Sequence, residues 1–117
     1  MIKFWFSVGE AEQRVRFHSR ATDPVRQWKL SPTDRASLDK WEAYTSAKRA
    51  MFSATDTPHS PWTVVKSNDK KRARLEAMRY VLSQFPYTGK DPSVVGTIDT
   101  HIIGTPTAIS DEGEEPD

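Results

Sequence analysis

Two groups of basic side chains are the part of this sequence best suited to chemistry. The first lies around Pro24 and consists of Arg14, Arg16, Arg20, Arg26 and Lys29. Arg16 and Arg20 are four residues apart, so on a helix they share one face. Two guanidinium groups on one face can hold phosphate oxygens through paired hydrogen bonds. The alternative is that these arginines only pair with Glu10 and Glu12 on a solvated helix.

The second basic group surrounds a polar turn at Ser67, Asn68 and Asp69. It consists of Lys66, Lys70, Lys71, Arg72 and Arg74. A polar turn that follows a strand and opens a basic helix can receive an anion at the helix N-terminus. Its amide and carboxylate side chains can also contact a nucleotide base. The alternative is an ordinary capped helix whose first turn is charged.

Other kinds of catalytic site find little support. His18, His59 and His101 are far apart and lack the spacing of metal ligands, and the chain has no cysteine to supply a thiolate. No Ser/His/Asp or paired-carboxylate arrangement can be assigned. The glycines do not fit G-x-x-x-x-G-K, the loop whose backbone N–H groups wrap phosphates. The sequence therefore predicts no metal site and no complete catalytic set in this chain.

Composition favours one small domain with an anionic partner. The chain has 117 residues and a net charge of +1, but five of its 16 acids lie in the last seven residues. All 17 lysines and arginines precede that acidic end, so residues 1–109 carry +6. Such a surface suits nucleic acid, nucleotide or polyphosphate. Mean hydropathy is −0.69, and no apolar run approaches the roughly 20 residues of a membrane span. We expect a cytoplasmic protein without membrane contact.

The first half of the chain is predicted to be a strand followed by two helices. Residues 2–8 are apolar and aromatic, as in a buried strand. Ser7 and Glu10 predict a capping box that starts a helix over 9–20. Ser31, with Pro32 and Asp34 after it, predicts the start of a second helix that runs to about residue 54. Its apolar stripe is predicted from Leu38, Trp41, Tyr44, Ala47 and Met51.

The second half is predicted to be a short strand and one helix. The strand covers 62–66, and Asn68 or Asp69 caps a helix that continues to about residue 85. Leu75, Met78, Leu82 and Phe85 form its apolar stripe. Residues 87–117 are predicted to be an extended tail, with disorder increasing after Ile103. The four tryptophans Trp5, Trp28, Trp41 and Trp62 are expected in the core. The order strand, helix, helix, strand, helix suits a partial α/β sheet.

The chain resembles the polyphosphate kinase 2 family. The matching pieces are KFWFSV, EQRVRF, ATDPVRQWKLSPTD, LDKWEAYTSAKRAMFSATDT, SPWTVVKSNDKKRARLEAMRYVLSQFPY and DPSVVG, spread over residues 2–104. The resemblance implies part of a P-loop kinase fold, a parallel sheet flanked by helices, with a helical lid at about 9–51. Residues 105–117 would be a flexible acidic tail. The implied activity is phosphoryl transfer between inorganic polyphosphate and nucleoside mono- or diphosphates, with Mg²⁺.

The resemblance also implies roles for particular residues. Arg16, Arg20 and Lys29 would bind the phosphates of polyphosphate or nucleotide from the lid. Asn68, Asp69 and Lys70 would lie on the nucleotide side. Many relatives carry a second acid where Asn68 stands, so the preferred nucleotide stays open.

The parts of a kinase that are missing from the sequence limit the activity that we expect of this chain. The chain resembles the C-terminal half of such a kinase, and the half with the phosphate-binding loop and the Mg²⁺ ligands is not in the sequence. We expect no activity unless an N-terminal half is supplied. The alternatives are a small basic protein that binds nucleic acid or polyphosphate, or a regulatory subunit that joins a full-length paralogue. No nucleic-acid-binding motif is present.

Overall fold

A computed structural model describes residues 1–109 as an α/β arrangement around a three-stranded sheet. The strands are β1 (Lys3–Ser7), β2 (Trp62–Lys66) and β3 (Ile103–Gly104). The helices are α1 (Glu10–Thr22), α2 (Pro32–Ala36), α3 (Trp41–Thr55), α4 (Lys70–Ser83) and α5 (Pro92–Val95), with a 3₁₀ turn at Gln27–Lys29. The predicted mixed α/β class is confirmed.

The sheet brings distant parts of the chain together. The order is β1-β2-β3, and β1 pairs with β2 in parallel from Lys3↔Trp62 to Ser7↔Lys66. Strand β3 adds two residues to the other side of β2 in the antiparallel sense. Because β1 and β2 are parallel neighbours, α1 and α4 both begin at the same edge of the sheet.

The start of α1 differs from the prediction. Gly9 is the N-cap and makes no side-chain capping bond, so the predicted capping box of Ser7 and Glu10 is wrong. Ser7 is buried in β1, and its carbonyl accepts the backbone N–H of Ser67 at 2.7 Å. Ser7 is therefore the last residue of β1 and lies two positions before the N-cap of α1.

The long second helix is interrupted. Ser31 begins α2 as predicted and forms a capping box with Asp34, but α2 ends at Ala36 and α3 begins at Trp41. The hydroxyl of Ser37 donates to the carbonyl of Thr33 at 2.7 Å. Serine and aspartate side chains compete with helical hydrogen bonds in this way, and a turn over residues 37–40 results.

An aromatic cluster attaches α3 to the sheet. The rings of Trp5, Phe52 and Trp62 lie 5.7–6.4 Å apart by their centroids. The indole N–H of Trp62 donates to the hydroxyl of Thr55 at 2.8 Å, at the end of α3. Edge-to-face contacts of this kind stabilise beyond the area they bury. Trp5 and Trp62 are half-buried, whereas Trp28, also expected in the core, is exposed.

The stripe of apolar residues on α4 faces outward. Leu75, Met78 and Leu82 are spaced along one face of α4 as predicted, whereas Phe85 lies beyond the end of α4 at Ser83, and all four are more than a third exposed. The opposite face packs on the core through Ala73, which is buried against Val65, Ile102 and Ile103. Spacing identifies a helical face, whereas the partner that covers it is decided by tertiary packing.

The predicted tail contributes to the core. Ile102 is 1% exposed and Ile103 3%, and both pack with Val65 and Ala73. The carbonyl of Ile102 accepts the N–H of Lys66 at 2.8 Å. The prediction of an extended tail from residue 87 is therefore wrong within the described residues. The glycine and proline residues of this segment are typical of a loop, whereas two of its isoleucines lie in the core. The flexible acidic tail was predicted over 105–117, and its residues 110–117 lie outside the described residues.

The side chain of Glu76 holds this late segment against α4. Glu76 is buried, pairs with Arg79 and accepts the N–H of Asp99 at 2.8 Å. Arg79 in turn donates to the carbonyl of Val95 at 2.9 Å. Within residues 1–109, no helix is long and apolar enough to cross a membrane.

Candidate functional site

The two helix starts at the sheet edge are joined through Asn68. Its side-chain oxygen accepts the backbone N–H of Gly9, the N-cap of α1, at 2.9 Å. Asn68 itself lies in the turn between β2 and α4. An N-cap that lacks its own side chain is thus satisfied from the neighbouring strand connection, which places α1 beside α4.

Arg16 makes the second link between these helices. Its Nη2 donates to the carbonyls of Ser67 and Asn68 at 2.7 and 3.1 Å, and its Nε bonds to Glu12 at 2.7 Å. The side chain is 20% exposed. The pair with Glu12 matches the alternative that the sequence left open, and the two carbonyl contacts give the guanidinium a further role in holding α1 against the β2–α4 turn.

Arg20 links α1 to α2. Its Nη1 lies 3.2 Å from Oδ2 of Asp34, the acid of the α2 capping box, and its guanidinium lies over the ring of Phe17. The backbone N–H of Ser31 is the main reason that the pKa of Asp34 is lowered, and Arg20 lowers it further. Arg20 therefore has a partner within the fold in addition to the phosphate-binding role predicted for it.

One open cleft of about 750 Å³ gathers the basic groups. Its lining includes all six residues predicted for phosphate and nucleotide binding: Arg16, Arg20, Lys29, Asn68, Asp69 and Lys70. The two sets are about 40 to 50 residues apart in sequence and meet because β1 and β2 are neighbours. Their roles in binding stay predictions, and the structure supplies the juxtaposition that those roles require.

The cleft also contains residues that were not assigned to the site. These are Glu12, Val15, Ser19, Arg26, Lys71 and Arg74. Arg26, Lys71 and Arg74 belong to the basic groups, and Arg74 lies one helical turn after Lys70. That i,i+4 spacing was the available signal for Arg74. Arg14 and Arg72 are outside the lining and pair with Glu10 and Asp99.

The charge of the cleft is strongly positive. Seven of its lining side chains are cationic and two are acidic. The pKa of Lys70 is lowered by this positive surrounding. The nearby charge of Arg16 is the largest cause, followed by desolvation and by the charges of Arg20, Arg26 and Lys29. A cation among cations loses its proton more readily. Such a site gains most from a ligand with several negative charges.

The two acids of the cleft have structural partners. Glu12 pairs with Arg16, and Oδ1 of Asp69 accepts the backbone N–H groups of Lys71 and Arg72 at 2.9 and 3.1 Å. These bonds make Asp69 the N-cap of α4, as predicted for Asn68 or Asp69, and hydrogen bonding from Arg72 N is the main cause of its lowered pKa. Asp69 thus begins the helix that carries the second basic group.

These acids do not form a magnesium site. Mg²⁺ requires oxygen ligands in near-octahedral geometry, and both carboxylates here are already bonded to protein donors. Residues 1–109 contain no group of three or more His, Cys, Asp or Glu side chains placed to hold a metal ion.

Comparison with known proteins identifies the family of this chain. The family model of polyphosphate kinase 2 matches residues 1–93. The chain belongs to the polyphosphate kinase 2 family. It is similar to the GDP-polyphosphate phosphotransferase of Mycolicibacterium smegmatis, with 63% identity over 95% of this chain and 38% of that protein. It is also similar to NDP-polyphosphate phosphotransferase 2 of Ruegeria pomeroyi, with 62% identity over 89% of this chain and 30% of that protein.

A solved member of the polyphosphate kinase 2 family has a related fold. The crystal structure of polyphosphate kinase 2 from Arthrobacter aurescens superimposes with a TM-score of 0.67 at 29% identity, over 80% of this chain and 36% of that chain. The chain thus spans about a third of the length of the relatives it matches. The basic cleft lies within residues matched by the family model.

Proposed function

We propose that this chain forms the phosphate-gripping part of a polyphosphate:nucleotide phosphotransferase. Such an enzyme moves a phosphoryl group between inorganic polyphosphate and a nucleoside mono- or diphosphate. The observation that carries the proposal is the convergence of two separate basic groups on one cleft. The relatives support the substrate class, since one is named for GDP and the other for nucleoside diphosphates in general.

The chemistry of phosphoryl transfer explains why such a cleft is useful. Negative charge spreads over the equatorial oxygens of the transferred group, and catalysis consists mainly of positioning and charge stabilisation. Arg16, Arg20 and Lys29 would contact phosphates from a lid formed by α1 to α3. Asn68, Asp69 and Lys70 would border the nucleotide. Asn68 and Asp69 would do so as the residues that orient the two helices, while Lys70 supplies charge.

Catalysis would require parts that this chain does not provide. The sequence has no G-x-x-x-x-G-K loop, and the cleft lacks magnesium ligands. We propose that a P-loop kinase-like fold is completed by an N-terminal half, or by a full-length paralogue, which contributes the loop and the Mg²⁺ ligands. The chain alone would bind polyphosphate without turning it over.

Binding of a short polyphosphate tests the proposal directly. Titration of the chain with inorganic tripolyphosphate should give saturable binding that weakens as salt is added, because screening acts on exposed charges. Lys70→Ala should weaken this binding at least fivefold. Lys40→Ala removes an equal charge from the turn between α2 and α3, outside the lining, and should leave it within twofold. Equal effects of the two substitutions would refute the assignment of the cleft.

A mixing experiment separates an enzyme part from a simple polyanion binder. The chain is combined with a polypeptide that carries the phosphate-binding loop portion of a family member, together with ADP, polyphosphate and Mg²⁺. Formation of ATP only in the mixture supports the proposed function. Binding of tripolyphosphate with no ATP in any mixture would favour the non-catalytic alternative.

A further inference from the structure

Trp28 is exposed where a tryptophan would ordinarily be covered. Its residue surface is 78% exposed, whereas Trp5, Trp41 and Trp62 are all partly buried. A tryptophan has a large apolar surface, and leaving it in water forgoes the stabilisation that burial would give. An exposed indole on a binding protein is therefore a candidate contact for a flat, apolar ligand group.

The segment that carries Trp28 is firmly attached to α1. The N–H groups of Arg26 and Gln27 both donate to the carbonyl of Asp23 at 2.9 Å, and Gln27 Nε2 reaches the carbonyl of Ala21 at 3.1 Å. Arg26 Nη1 donates to the hydroxyl of Ser19 at 2.8 Å. These bonds hold the 3₁₀ turn in place, so the indole is presented on an ordered support.

Lys29 connects this indole to the basic cleft. Its ammonium lies 5.2 Å from the centroid of the Trp28 ring, within the range of a cation–π contact, and the same side chain lines the cleft. A ligand that places phosphates against Lys29 would therefore have its neighbouring group beside the indole. A nucleotide has this composition, with phosphates at one end and an aromatic base at the other.

The cleft itself offers little else to receive a base. None of the described residues that line it is aromatic. The side-chain oxygen of Asn68 is bonded to Gly9, and Oδ1 of Asp69 is bonded to the first turn of α4. An exposed aromatic ring beside the cleft adds a flat apolar surface that its lining does not supply.

We propose that Trp28 is the stacking platform for the base of a nucleotide whose phosphates lie in the basic cleft. The inference rests on the proposed function and adds the way in which the base is recognised. Stacking uses the face of the base, which every nucleobase has, so it tolerates different bases. Purines, with their larger ring systems, should bind more tightly than pyrimidines at equal phosphate number.

The test compares ligands with and without a base on the full chain. Binding of GDP, CDP and inorganic tripolyphosphate is measured by ¹H–¹⁵N NMR titration, with the Trp28 indole signal assigned from its loss in Trp28→Phe. GDP should shift this signal, and its affinity should exceed that of CDP. Trp28→Ala should weaken GDP binding about tenfold and leave tripolyphosphate within twofold. Trp28→Phe, which keeps a ring, should retain GDP binding within about threefold.

Phe85→Ala is the matched control, because it removes another exposed aromatic side chain that does not line the cleft. It should leave every affinity unchanged. The inference is overturned if Trp28→Ala leaves GDP binding unchanged, or if it weakens GDP and tripolyphosphate equally. In either case, binding of tripolyphosphate that depends on Lys70 would leave the proposed function standing. If the unaltered chain binds neither ligand at millimolar concentration, both proposals fail.

Discussion

At the residue scale, Arg16 has two roles, one in the contact between α1 and the β2–α4 turn and one in the lining of the basic cleft. Its guanidinium crosslinks α1 to the β2–α4 turn through two backbone carbonyls, and the same side chain lines the basic cleft. A planar fork can do this because its donors point in several directions, whereas an ammonium offers only a point charge. Residues predicted to bind phosphate are thus also part of what shapes the cleft.

Arg16→Ala should lower the free energy of unfolding by about 1.5–3 kcal/mol, because a charged donor to two carbonyls is lost. Arg16→Lys should recover little of that loss. The measurement is urea denaturation followed by circular dichroism. Arg14→Ala is the control, since Arg14 forms an exposed pair with Glu10 at the same spacing, worth at most about 1 kcal/mol. Equal effects at the two positions would contradict the crosslinking role.

Arg20 should matter for transfer as well as for the fold. In an enzyme completed with the phosphate-binding loop portion, Arg20→Ala should lower kcat/KM for polyphosphate at least tenfold, about 1.4 kcal/mol of transition-state stabilisation. Loss of its pair with Asp34 should cost about 1 kcal/mol of stability. Added salt should impair polyphosphate use in the parent more than in the variant. Unchanged kinetics and salt dependence would show that Arg20 acts only in the fold.

At the element scale, caps decide where the functional helices begin. Asp69 starts α4 by accepting two backbone N–H groups, and Asn68 satisfies the first turn of α1 from a different strand connection. Each helix start is therefore connected to the turn at the edge of the sheet. Changes in these caps should affect both the stability of the helices and the placement of the basic side chains they carry.

The Asp69 cap should make stability depend on acid. Its folded pKa lies below the usual 3.8, so its contribution is fully present above pH 3.8 and is lost as pH falls through the folded pKa. Asp69→Asn keeps a good cap without the titration, and Asp69→Ala removes the cap. Urea midpoints between pH 2 and 7 should show the parent losing stability relative to Asp69→Asn below pH 4. Asp69→Ala should be less stable than both at pH 7. A constant difference across this pH range would contradict the linkage.

At the scale of the whole molecule, two apolar surfaces lack a partner within residues 1–109. One is the outer face of α4, and the other lies along β1, which has a hydrogen-bonded strand on one side only and exposes Phe6. Open strand edges and apolar patches promote association. The chain spans about a third of the length of its relatives.

The chain by itself should therefore associate at micromolar concentration. Leu75→Gln combined with Met78→Gln should shift it toward monomer in sedimentation velocity. The free energy of unfolding should change by only about 0.5 kcal/mol, because both side chains are exposed. Val25→Gln with Val94→Gln changes two equally apolar but separate exposed positions and should not alter association. A parent that is monomeric, with one sharp thermal transition, would contradict this prediction.

The sequence by itself determined the basic side chains of this protein and the positions at which its helices begin. The helix starts at Ser31 and near Asp69 could be predicted because each depends on residues within one helical turn, and the two basic groups are visible directly in the residue types along the chain. The matched segments predicted the polyphosphate kinase 2 family, which the comparison confirms.

Only the tertiary structure decided which residues the helices and the basic side chains contact. The parallel pairing of β1 with β2 brings Arg16 to the carbonyls of Ser67 and Asn68, more than 50 residues away in sequence. The same packing turns the α4 stripe outward and places Ile102 in the core. Helical spacing and turn residues report interactions over a few residues, whereas these contacts depend on which strands pair. The sequence therefore predicted the charged residues of the cleft, and the pairing of β1 with β2 brings them together in one site.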